Sequence, residues 1–123
     1  MATILLIEDE AVSRKLARLA LQHAGHRVVC SPGATDAVAL ARRHRPALAM
    51  VAIAPQTEHY AMLARALKAD APDAGVRVHA LLHRALEAQQ ARFLREGFDV
   101  AARKPLSLRE WYRHVLDALR PLG

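Results

Sequence analysis

The sequence predicts an open, doubly wound α/β domain, and three observations carry that expectation. The stretch Leu48 to Ala54, between Pro46 and Pro55, is wholly apolar, with neither a helical period nor alternation. Such a run reads as a strand buried on both faces, in the middle of a mostly parallel sheet. Short apolar runs and amphipathic stretches then alternate five times along the chain, joined by short connections.

The elements follow in order. Thr3 to Ile7 is an apolar strand that runs into Glu8, Asp9 and Glu10. A helix from Ala11 to His23 carries Val12, Leu16, Leu19 and Ala20 at helical spacing, and Gly25 stops it. Arg27 to Cys30 is a second strand, punctuated by Ser31-Pro32-Gly33. A second helix spans Thr35 to Arg43, with Ala37, Val38, Leu40 and Ala41 as its apolar stripe. After the central strand comes a loop at Pro55-Gln56-Thr57, then a helix with Tyr60, Leu63, Ala64 and Leu67 on one face. Asp70 to Gly75 is a turn, and Val76 to Leu82 a fourth strand. The next helix, Ala85 to Glu96, places Leu86, Phe93 and Leu94 at core spacing and ends at Gly97. Phe98 to Arg103 is the fifth strand. Ser107-Leu108-Arg109-Glu110 is a capping box, opening a helix expected to bury Leu108, Trp111, Val115, Leu116 and Leu119.

With 123 residues the chain is expected to be one domain, 1–123, large enough to bury a core without disulfides or metals. No apolar run approaches the roughly 18 residues needed to span a membrane. The early acidic triplet argues against a signal peptide. A lone cysteine, Cys30, excludes an internal disulfide and fits a reducing, cytoplasmic setting. It reads as a small core residue. The net charge of +6 makes an acidic partner or nucleic acid thinkable. The cations are nonetheless spread over several segments, and no module that reads bases is visible. That pattern favours a solvated basic surface.

In an open α/β sheet, ligands gather at the carboxyl ends of the strands. Glu8 and Asp9 stand after the first strand, Arg84 after the fourth and Lys104 after the fifth. Such a cluster can hold a cation or orient an anion, or simply neutralise itself. His79 and His83 lie roughly 13 Å apart if both are on one strand, too far to share a metal.

Five segments in this order carry a resemblance: Ile4-Leu5-Leu6-Ile7-Glu8-Asp9-Glu10, Gly25-His26-Arg27-Val28, Pro46-Ala47-Leu48, Gly97-Phe98-Asp99 and Lys104-Pro105. Together they resemble the receiver domain of two-component response regulators, from Thr3 to about Leu119. The resemblance implies a flavodoxin-like (βα)5 three-layer sandwich with strand order 2-1-3-4-5. It also implies self-phosphorylation from a phosphodonor, carried over only where residues match. The acidic pair that helps hold Mg²⁺ matches Glu8 and Asp9, and the lysine that pairs with the phosphoryl group matches Lys104. The phosphorylated aspartate falls on Ala52, the Ser or Thr that bonds the phosphoryl group on Leu82, and the switch aromatic on Ala101. The loop after the third strand also lacks its usual glycine and is slightly short.

A methyl group has no nucleophilic oxygen, so no acyl phosphate can form at Ala52. One metal ligand is lost with it, and Mg²⁺ at Glu8 and Asp9 is expected to bind weakly or not at all. The charges of Glu8 and Asp9 can balance against Lys104, with Arg84 or Arg103 nearby. The expected function is therefore that of a degenerate receiver, or pseudoreceiver. It would be no enzyme and would act by protein–protein contact in a phosphorelay or two-component pathway. Expected partners are a histidine kinase, a phosphotransfer protein, an output domain, or a second copy. Contact is expected through the fourth helix, fifth strand and fifth helix, at Gln89, Arg92, Arg95, Arg109, Trp111, Tyr112 and Arg113. Two alternatives stand beside this: an unorthodox phosphoacceptor using Asp9 or Glu8, and a basic nucleic-acid-binding module.

Overall fold

The structure is a computed structural model that describes residues 1–54, 60–69, 75–84 and 86–120. The expected loop at Pro55 to Thr57, most of the turn after Ala69, Ala85 and the last three residues lie outside them. Five strands form one parallel sheet: β1 (Thr3–Ile7), β2 (Arg27–Ser31), β3 (Leu48–Ala52), β4 (Arg77–Leu82) and β5 (Val100–Arg103). Its order is β2-β1-β3-β4-β5, as expected. Five helices connect and follow the strands: α1 (Ala11–His23), α2 (Ala37–His44), α3 (Tyr60–Ala69), α4 (Glu87–Arg95) and α5 (Leu108–Ala118). No helix among the described residues is long and apolar enough to cross a membrane.

Every residue of β3 is buried, because helices cover both faces of the sheet at its centre. Strand alternation sends the side chains to two separate cores. On one face Leu5, Ile7, Val51, Val78 and Leu82 pack with residues of α2, α3 and α4. On the other, Ile4, Leu6, Met50 and Leu81 meet α1 and α5, with Trp111 at 2% exposure. Register is fixed across the sheet, with Ile4 beside Leu48, Ala52 beside Leu81 and Leu82 beside Arg103.

Helix ends follow local chemistry. Glu10 caps α1, its carboxylate accepting from the backbone N–H groups of Val12 at 3.0 Å and Ser13 at 2.6 Å. Gly25, at φ +93°, turns the chain out of α1 in a left-handed conformation that an L side chain resists. Ser107 caps α5 by accepting from the Glu110 N–H at 3.2 Å. The reciprocal bond of the box reaches one residue further back, to the N–H of Leu106 at 2.6 Å. Asp99 ties three elements together: it pairs with Lys68 of α3 at 2.7 Å and accepts from the Val78 N–H of β4 at 2.8 Å.

Three helices are turned differently from the expected apolar stripes. In α1 the buried residues are Ala17, Ala20 and Leu21, while Val12 and Leu19 are 74% and 50% exposed. In α4 only Phe93 is buried, and its neighbour Leu94, about 100° further round, faces out, as does Leu86. In α5 the stripe is Trp111, Val115 and Ala118. Leu116, five residues past Trp111, is rotated roughly 140° from it and exposed, and so is Leu108. The face of α3 formed by Tyr60, Leu63, Ala64 and Leu67 is buried as expected.

Candidate functional site

The carboxyl ends of β1 and β3 and the residues after β4 and β5 enclose a crevice of about 400 Å³. Glu8, Asp9, Ala52, His83 and Lys104 line it, together with Glu10, Ser13, Ile53 and Ala54. Four residues singled out from the sequence, Glu8, Asp9, Ala52 and Lys104, are thus brought together from three different segments.

Glu8 is the first residue past β1 and is only 3% exposed. Its backbone N–H still donates across the sheet edge to Ser31 at 3.0 Å, which fixes the direction of its side chain. The carboxylate forms an ion pair and hydrogen bond with Lys104 Nζ, whose side chain is 10% exposed. Its second oxygen accepts from the Glu10 N–H at 3.3 Å. Lys104 is held from the other side, its backbone N–H donating to the Leu82 carbonyl at 2.7 Å. Arg14 reaches from α1 to the Glu8 carbonyl at 2.9 Å.

Asp9 and Glu10 are exposed at the mouth of the crevice. Glu10 is turned into α1, and the hydrogen bonds from Ser13, with that from Val12, hold its carboxyl below the usual carboxylate range. Ala52 and Ile53 form an apolar floor, both nearly buried. The methyl of Ala52 faces the same space as the Glu8–Lys104 pair.

Two expected members are elsewhere. Leu82 is fully buried in the core shared with α2, α3 and α4, and Ala101 packs against that core, so neither lines the crevice. Arg84 and Arg103 are also absent from its lining, and Arg103 instead pairs with Glu110 at 3.3 Å. The charge balance at Glu8 is therefore local to Lys104. Ser13 and His83 line the crevice without having been expected there. Ser13 carries no signal beyond its place in the first turn of α1, whereas His83 directly follows a strand end. Among the described residues, no group of three or more His, Cys, Asp or Glu is placed to hold a metal ion.

The expected partner surface divides. Gln89, Arg92, Arg95, Arg109 and Arg113 are exposed. Arg92 is paired with Glu96 at 3.1 Å. Trp111 takes the core place that the helix pattern predicts, which corrects its place on the partner surface: its ring fills the core between the sheet, α1 and α5. Tyr112 is half-buried against α1, its ring 6.3 Å from that of His23, so it belongs to the α1–α5 seam. Exposed Leu94, Val100, Leu106 and Leu108 add apolar area to α4, β5 and the start of α5.

No protein-family model and no curated protein matches the sequence. Solved structures do match, over nearly the whole chain. The chemotaxis protein CheY4 of Vibrio cholerae aligns with a TM-score of 0.85 at 17% identity, covering 97% of this chain and 99% of that one. A response regulator from Desulfuromonas acetoxidans aligns at 0.75 with 26% identity, covering 98% and 100%. A CheY-like response regulator receiver domain protein from Methanospirillum hungatei aligns at 0.81 with 20% identity, covering 97% and 94%. The chain has the fold of CheY-like receiver domains.

Proposed function

We propose that this chain is a receiver-type module of two-component signalling that has lost phosphorylation chemistry and acts in the cytoplasm through protein contacts. One observation carries the reading. At the floor of the strand-end crevice stands the methyl of Ala52, beside a Glu8 carboxylate already committed to Lys104. Phosphoryl transfer to a protein needs a nucleophilic side chain in line with the donor, and the methyl at position 52 supplies none. A hard cation such as Mg²⁺ needs several oxygen ligands. Glu8 is spent on Lys104 and position 52 contributes nothing, so Mg²⁺ should bind weakly at most.

Such a module has no turnover of its own. Its partner would be a histidine kinase, a phosphotransfer protein, an output domain or a second copy of the chain. The surface of α4, β5 and α5 suits that role, since it combines exposed Arg95, Arg109 and Arg113 with exposed Leu94, Leu106 and Leu108. A partner presenting carboxylates around an apolar centre would complement it.

A second reading has one observation in its favour: Asp9 is exposed and lines the same crevice. A single experiment separates the two. The protein is incubated with a small-molecule phosphodonor and Mg²⁺ and weighed intact by mass spectrometry. The proposal expects the unmodified mass. A stable added phosphate that disappears in Asp9→Asn would overturn it in favour of the second reading.

A further inference from the structure

A second cavity, of about 530 Å³, lies between β4, β5 and α5 on the sheet face that carries Trp111. Its lining includes His79, Asp99, His114 and Asp117. His79 is on β4 and His114 on α5, 35 residues apart in sequence, yet His79 Nδ1 and His114 Nε2 are 3.0 Å apart. The rings meet edge-on, with centroids 5.2 Å apart and planes at 79°. Alternation along β4 turns His79 toward α5, and the helical period puts His114 three residues past Trp111, on the flank nearest β5. Burial first, and then the neighbouring His114, push the His79 imidazole down to about 4. Burial lowers His114 as well.

We propose that His79 and His114 form a binding site for one imidazole-preferring divalent metal of the Zn²⁺ class, the remaining coordination positions being filled by water. Zinc–imidazole bonds of about 2.0–2.1 Å at a tetrahedral angle place two ligand nitrogens about 3.3 Å apart. The nitrogens need to part by only a few tenths of an ångström, each ring turning so that its lone pair meets the metal in place of the hydrogen bond that joins them. Each sits on a regular element, so the spacing does not depend on a loop. Imidazole suits Zn²⁺, Ni²⁺ and Cu²⁺ and discriminates against Mg²⁺.

The surrounding charges are balanced and mostly engaged. Arg77 directs its guanidinium to the carbonyls of Ala118 and Arg120, and Arg120 pairs with Asp117 at 3.3 Å. Asp99 is held by Lys68 and the Val78 N–H. With only two protein ligands the site would be open and exchangeable, unlike a closed four-ligand structural centre. A bound metal would tie α5 directly to β4.

The test uses the whole chain. Wild-type protein titrated with ZnCl₂ at pH 7.5 in a calorimeter is expected to bind one equivalent. The imidazole NMR resonances of His79 and His114 should shift together. His114→Ala should weaken that binding about tenfold or more, since changes even one shell further out cost that much. His44→Ala, remote on α2, should retain it. Shifts confined to other histidines, undiminished binding by His114→Ala, or no zinc binding at all would overturn the proposal. The wild-type resonances decide the matter even if His114→Ala does not fold.

Discussion

Replacing Lys104 with methionine would leave Glu8 as an isolated carboxylate in a nearly dry place. The structure sets the scale of the loss. Glu8 and Lys104 have side chains 3% and 10% exposed, so their pair belongs to the buried class. Removing one partner of a buried pair costs about 3–5 kcal/mol, mostly because the survivor stays buried without its counter-charge. A domain of this size has about 5–15 kcal/mol in hand, and the loss corresponds to roughly 10–20 °C in Tm. Replacing both partners, as Glu8→Gln with Lys104→Met, removes the orphaned charge and should recover most of that loss. Arg103→Met is an internal control. Its pair with Glu110 has side chains 56% and 43% exposed, and should cost about 1 kcal/mol or less. Urea denaturation of the three variants at pH 7.5 makes the comparison. If Lys104→Met costs no more than Arg103→Met, or the double variant is worse than the single, the crevice is not closed by this ion pair.

Ala52→Asp would add a third carboxylate beside Glu8 and Asp9; it should lower Tm in EDTA and regain it in Mg²⁺, and a Tm indifferent to Mg²⁺ would count against the crevice geometry. Trp111→Ala should cost about 3–5 kcal/mol in urea denaturation, as for any large ring removed from a core, whereas a loss under about 1 kcal/mol would place the ring on the surface after all. Glu10, whose carboxyl is held low by its capping bonds, contributes stability that is present above the ordinary carboxylate pKa and lost as pH falls through its folded value. Urea midpoints at pH 7 and pH 3.5 should therefore lie closer together in Glu10→Gln than in wild type, and an unchanged gap would contradict the cap.

What could be read from the chain was whatever strand ends dictate. A continuous apolar run such as Leu48 to Ala52 has one economical place, the sheet centre, and residues just past strands must line its carboxyl edge. Hence Glu8, Asp9, Ala52 and Lys104 come together as expected. Helix rotation was harder to read, because α1 and α5 carry more large apolar residues than their buried stripes need. Val12, Leu19 and Leu116 fit a helical period yet face water, and small Ala17 and Ala20 take the inner face of α1. The partner of His79 was beyond reach of any local pattern. Its sequence neighbour at helical spacing, His83, leads to the crevice, while the ring it touches comes from another element 35 residues away.

The Glu8–Lys104 contact also has a kinetic meaning. It joins positions 96 residues apart, at the tip of the first strand and just past the last. Contacts of such long range form only after most of the chain is aligned, so this one is expected to be missing from the folding transition state. Stabilisation of that kind acts mainly as a brake on unfolding. Stopped-flow mixing should find Lys104→Met unfolding faster at a nearly unchanged folding rate, and a slowed folding arm would instead assign the clasp to the nucleus. The ion pair at the strand-end crevice would then set how long each molecule stays folded.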